Sequence, residues 1–154
     1  MSLEEAITRY SHAILKYCYG LLCNYHDAQD AMQETFCKAY AGRDTFRGNA
    51  QVVTWLYKIA YNTCISMLRR RRFFPAPIGA DTAIHDPDPL IGGALSRALA
   101  ALSPKERALV YARAVEGLDY GELEIIHRTR AATLRKRYER ARKKLQAILE
   151  KEGY

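Results

Sequence analysis

The sequence predicts an all-α protein: two small helical domains joined by a Pro/Gly-rich linker, the second containing a helix-turn-helix. Three observations carry this. Apolar residues recur every three or four positions almost throughout, which is the period of a helix with one buried face. The composition breaks once, at FFPAPIGADTAIHDPDPLIGG (Phe73 to Gly93), which holds four of the five prolines and three of the nine glycines. Proline removes a backbone donor and interrupts the helical period, so this stretch separates two units. Finally, positive charge collects on the last helix. Arg128 to Lys144 has nine Lys/Arg against one Glu, so the segment carries +8 and the rest of the chain −1 of the +7 total.

The elements follow in order. Leu3 to about Leu22 reads as the first helix. NYHD (Asn24 to Asp27) is a turn, with Asp27 able to cap a second helix reaching about Ala41. GRDTFRGNAQ is a loop, and a third helix runs from about Val52 to Arg71. After the linker, LSPKE starts a helix with Ser103 as N-cap, Pro104 at the first position and Glu106 closing a capping box. It ends near Glu116 at the stop signal Gly117. Asp119 and Glu122 stand in the same capping relation for a short helix, and the basic helix follows to about Glu150. The expected divisions are residues 1–72, a linker over 73–94, and residues 95–154. Units of about 60–70 residues lie near the lower limit of independent folding.

Composition narrows the function classes. At 49% hydrophobic and 27% charged, the chain has a globular balance. The opening MSLEEAITRY is acidic with no apolar run behind it, and no stretch approaches 18 apolar residues. Neither a secretory signal nor membrane insertion is therefore expected, and the expected location is cytoplasmic. Cys18, Cys23, Cys37 and Cys64 form no CxxC pair and read as reduced thiols. Cys23 and His26 have ligand-like spacing, but nothing nearby completes a metal site. No catalytic constellation, cofactor motif or phosphate-cradling glycine loop is present, so the chain does not read as an enzyme.

Three helix faces remain as candidate sites. On the last helix, Ala131, Leu134, Tyr138, Ala141, Leu145 and Ile148 form one apolar stripe, with the basic residues off it. A tight turn and a basic outward face suit a helix that enters the major groove, where arginine can grip guanine O6 and N7 together. A solvated face would alternate its charges; one acid among nine bases leaves the repulsion unrelieved and favours a polyanion. On the third helix, Lys58, Asn62, Ser66 and Arg69 fall within about 60° of Trp55. A ring, an amide, a hydroxyl and two cations can stack and hold unpaired bases. Two readings stay open here, because Trp55 also fits a core position and Asn62 a solvated one. The second helix places Asp30, Gln33, Glu34 and Cys37 on one side, a face for a basic protein partner or for solvent.

Taken together and in order, these segments resemble the sigma-70 family of bacterial RNA polymerase sigma factors, in its extracytoplasmic-function (group 4) branch. DAQDAMQETFCKAY resembles region 2.2, TFRGNAQVVTWLYKIAYNTCISMLRRRR regions 2.3 and 2.4, and ALSPKERALVYARAVEGLDYGELEII with TLRKRYERARKKL region 4. The resemblance implies a non-enzymatic, cofactor-free promoter-specificity subunit. Asp30, Gln33 and Glu34 would bind the clamp coiled coil of the polymerase β′ subunit. Trp55, Lys58, Asn62, Ser66 and Arg69 would engage the melted −10 element, with Asn49 in the base-specificity loop. Thr133, Arg135, Lys136, Glu139 and Arg140 would read −35 duplex, and region 4 would also touch the β flap. Many members are held by a cognate anti-sigma factor. The alternative is a stand-alone helix-turn-helix regulator of duplex DNA.

One segment departs from the family pattern. IIHRTRAATLRKRYERAR places His127, Arg128, Thr129 and Arg130 where Leu, Gly, Ile and Ser are usual. Arg128 then needs a positive φ or a different turn, and Thr129 is the expected replacement cap.

Overall fold

The computed structural model describes residues 3–45, 52–73, 93–151 and 153, and every regular element among them is helical. The order is α1 (Leu3–Leu22), α2 (Tyr25–Ala41), a 3₁₀ turn (Arg43–Thr45), α3 (Val52–Phe73), α4 (Gly93–Ala100), α5 (Pro104–Val110), a π-helical continuation (Tyr111–Val115), α6 (Tyr120–His127) and α7 (Ala131–Lys151).

Helices α1, α2 and α3 pack mutually. α1 buries Ile14, Tyr17, Cys18 and Leu21 at the three-to-four spacing that makes one stripe. It stops at Cys23, which adopts a left-handed turn (φ 56) and returns its N–H to the Tyr19 carbonyl at 2.8 Å. α2 buries the small residues Ala28, Ala31, Thr35 and Ala39, which let its neighbours approach closely. Its cap differs from the sequence expectation. The Asn24 side chain accepts from the Asp27 N–H at 3.0 Å, so Asn24 is the N-cap and Asp27 lies inside the first turn. Asp27 instead pairs with Arg71 and ties the start of α2 to the end of α3.

In the second unit the expected capping box forms. The Ser103 hydroxyl accepts from the Glu106 N–H at 3.2 Å, and Glu106 Oε1 accepts from the Ser103 N–H at 3.0 Å. Gly117 makes the turn with φ 70, and Asp119 Oδ1 accepts from the Glu122 N–H at 2.8 Å to cap α6. Arg128 takes the left-handed conformation, with φ 51 and ψ 43. The usual turn geometry is thus kept without the glycine, at the steric cost a side chain pays there. Thr129 does not cap α7: its hydroxyl donates back to the His127 carbonyl at 3.0 Å. Glu124 reaches forward instead and accepts the Ala131 N–H at 3.0 Å. A carboxylate suits that position, because the first N–H groups of a helix are unpaired and carry positive partial charge.

The two units share a core. Arg107, only 8% exposed, donates from Nε and Nη2 to the Leu21 carbonyl at 2.9 and 2.6 Å, and from Nη1 to the Leu102 carbonyl at 2.7 Å. One buried guanidinium therefore closes the C-terminus of α1 and the start of α5 together. Tyr111 packs against Gly20, where an added Cβ would come within 2.8 Å of its ring. Tyr17 meets Tyr57 edge-on at 4.9 Å and Tyr111 at 6.2 Å. At the other end of this seam, the rings of Tyr61 on α3 and His127 on α6 lie 4.6 Å apart.

Candidate nucleic-acid interface

Helix α3 presents its candidate strip because the rest of its circumference is covered. Leu56, Ala60, Thr63 and Cys64 are buried toward α1 and α2, and Tyr57 and Tyr61 are buried as well. At 100° per residue these span an arc of about 160°. Asn62, Ser66 and Arg69 are exposed on the opposite side, with Trp55 half-buried among them and Lys58 half-buried at the margin. The open choice at Trp55 and Asn62 thus resolves in position. Trp55 packs partly against the core, its ring near Gly42, and the Asn62 amide faces solvent. Asn49 lies outside the described residues.

On α2, Asp30 and Gln33 are exposed and Glu34 is half-buried. Glu34 already has a cation: Lys38 Nζ lies 3.3 Å from its carboxylate and donates to Thr63 Oγ1 at 3.0 Å. That bond links the acidic face of α2 to α3.

Helix α7 is the opposite case. Only Leu134 and Ala141 are fully buried, while Thr133, Arg135, Lys136, Glu139 and Arg140 are all exposed. The Tyr120 ring on α6 orients two arginines, with Arg135 at 4.9 Å and Arg113 at 5.1 Å from its centroid. Cation–π contacts of this kind hold an exposed guanidinium without neutralising it. Glu139, the one acid in the run, pairs with Arg142 at 3.1 Å, so its charge is answered within the helix. Lys144 is drawn off as well, to Glu106 Oε2 at 2.8 Å.

Sequence reasoning found these three faces and missed the seam. Tyr57, Tyr61, Tyr111 and His127 carry no joint signal in the sequence, since their periodicity within each helix only says "buried". Burial and the Glu116 carboxylate hold the Tyr57 phenol well above its ordinary pKa, so it stays a neutral donor. Among the described residues no cluster of His, Cys, Asp or Glu could hold a metal.

The chain matches the description "Sigma-70 region 2" over residues 6–74 and "Sigma-70, region 4" over residues 92–145. It belongs to the sigma-70 family, in its extracytoplasmic-function branch. The sigma chain is 29% identical to the ECF RNA polymerase sigma factor SigG of Mycobacterium tuberculosis over 90% of its own length and 46% of that protein's. It is 30% identical to SigE of Mycolicibacterium smegmatis over 97% of its length and 62% of the relative's. It therefore spans about half to three-fifths of these curated relatives. Among solved structures it is similar to the sigma factor RpoE of Bartonella quintana, determined in complex with the anti-sigma factor NepR. There the TM-score is 0.82 and the identity 26%, with 96% of each chain covered.

Proposed function

We propose that this sigma chain binds core RNA polymerase and directs promoter-specific initiation, leaving the chemistry to the polymerase. Residues 1–72 form the polymerase and −10 module, residues 73–94 the connection, and residues 95–154 the −35 module. Asp30, Gln33 and Glu34 meet the β′ clamp coiled coil. Trp55, Lys58, Asn62, Ser66, Arg69 and Asn49 capture the melted −10 strand. Thr133, Arg135, Lys136, Glu139 and Arg140 read −35 duplex in the major groove, and the same unit meets the β flap. The relative solved with NepR supports an anti-sigma factor as a further partner of this chain. No helix of the described residues is long and apolar enough to cross a membrane, and the chain acts in the cytoplasm, where polymerase and promoter are.

The observation that carries the reading is the exposed Asn62, Ser66 and Arg69 strip on a helix buried elsewhere. A reader of closed duplex does not need an amide and a ring arranged for unpaired bases. The test is transcription in vitro with purified core polymerase. Asn62→Ala should cut promoter opening about tenfold or more while holoenzyme assembly is unchanged, and Glu34→Lys should do the reverse. A free chain that binds one duplex sequence tightly and gains nothing from polymerase would establish the stand-alone regulator instead.

A further inference from the structure

A cavity lies where α5, the end of α6 and α7 meet. Its volume is about 260 Å³ and its lining is Ser103, Lys105, Glu106, Leu109, His127, Leu134 and Arg137. Leu109 and Leu134 are buried and form an apolar base. Lys105 and Arg137 are exposed at the mouth and, among the described residues, neither has an ion pair. The one acid in the lining is already committed. Glu106 Oε1 accepts from the Ser103 N–H and Oε2 from Lys144, so it offers no counter-charge to the cavity. His127 Nε2 is buried here without a hydrogen-bond partner. A buried polar nitrogen left unpaired costs about 1–3 kcal/mol unless something binds it.

We infer that this cavity is a binding site for a small phosphate-bearing anion. Lys105 and Arg137 supply the charge, with the Arg137 guanidinium able to grip two oxygens at once. His127 supplies a donor from within. Its ring is neutral at pH 7, because burial first and then Arg137 and Lys105 push its pKa down to about 4. A neutral ring with its proton on Nε2 donates to an anion. The charged and titratable groups around it are Tyr61 on α3, Lys105 and Glu106 on α5, and Arg137 on α7. An anion between the two cations offsets their repulsion of the imidazolium, the lesser cause of the low pKa beside burial, and so draws the His127 pKa upward. The family's usual leucine at position 127 would supply no such donor. Because the His127 ring also contacts Tyr61, the site reports on the packing between the two sigma units.

The experiment titrates the full chain with sodium phosphate at constant ionic strength and follows the His127 ring protons and the Lys105 and Arg137 side chains by NMR. Expected are saturable shifts, weakened about tenfold in Lys105→Gln and in Arg137→Gln, which alter exposed residues and leave the fold intact. His127→Leu should weaken binding by removing the buried donor. Shifts that rise linearly without saturating, or that survive both charge substitutions, overturn the site. A short duplex DNA that shifts these resonances where free phosphate does not would make the cavity a backbone contact and also overturn it. Binding is read on the free chain, so a negative result leaves the promoter-recognition reading untouched, and a failed transcription assay leaves this one untouched.

Discussion

Helices α3 and α7 are both long, both basic at one end and both proposed to face DNA, yet they are held in different ways. α3 is gripped around nearly half its circumference by α1, α2 and α6, and its proposed DNA strip is what remains. α7 is anchored by a narrow stripe, with only Leu134 and Ala141 fully buried, and carries its cations almost all round. A helix that must offer bases to a fixed pocket needs a rigid mount, because misplacement by an ångström costs contacts. A helix that lies in a groove on phosphates tolerates looser mounting, since charge attraction falls off slowly with distance. Substitutions on the exposed side of α7 should therefore change DNA binding alone, whereas those on the covered side of α3, or on its neighbours, should unfold the protein or loosen the seam.

The largest effect belongs to the seam. Arg107→Ala removes three hydrogen bonds and strands the Leu21 and Leu102 carbonyls in a buried place. The expected loss is about 3 kcal/mol of unfolding free energy, measured by urea denaturation. A loss below about 1 kcal/mol would mean that the units separate readily and that α3 is mounted by α1 and α2 alone. Gly20→Leu should act in the same direction, since any Cβ there meets the Tyr111 ring.

Next comes pH. Folding holds the His127 pKa near 4 against an ordinary 6.5, with desolvation the main cause. The unfolded chain thus binds the proton more readily. Stability is complete above about pH 6.5 and declines as the pH falls from there to about 4, below which the effect is spent. The decline attributable to this group is on the order of 3 kcal/mol. His127→Leu should flatten that part of the stability profile. An unchanged slope between pH 6.5 and 4 would show that the Tyr61–His127 contact opens without cost.

How much of this was legible follows the same division. The helices, the linker, the Ser103 capping box and the three candidate faces could be read because each is a local pattern: a period, a cap, a charge run. NYHD offers two capping side chains three residues apart, Asn24 and Asp27, and only the backbone angles choose Asn24 as the N-cap of α2. Local pattern points to Thr129 as the cap of α7, while Glu124 provides it from seven residues upstream of Ala131. The seam left no trace in the sequence. Nothing local distinguishes a tyrosine buried against its own unit from one buried against the other.

On α7, Arg135→Ala should cost about 1–3 kcal/mol in binding to −35 duplex, with discrimination at one base pair lost. Its effect on unfolding should be under about 0.5 kcal/mol, because the side chain is exposed and only leans on Tyr120. Lys136→Ala is the control: a phosphate contact lowers affinity for every sequence alike and reduces the salt dependence by about one charge. If Arg135→Ala behaves like Lys136→Ala, the guanidinium held on Tyr120 positions the helix and does not read a base.

The smallest effect tests the mounting of α7 itself. Arg128 sits at φ 51, ψ 43, a conformation that costs a side chain about 1 kcal/mol relative to glycine. Arg128→Gly relieves that strain but gives the unfolded chain more freedom, so the net gain should be about 0.5 kcal/mol, read as a small rise in the denaturation midpoint. The substitution also removes one cation from the start of the basic helix. Stability and DNA affinity should consequently move in opposite directions: slightly more stable, and slightly weaker on duplex at low salt. If both rise together, the arginine was only straining the turn. If both fall, the side chain makes a contact that holds α6 against α7, and the loosely mounted helix is less free than its burial suggests.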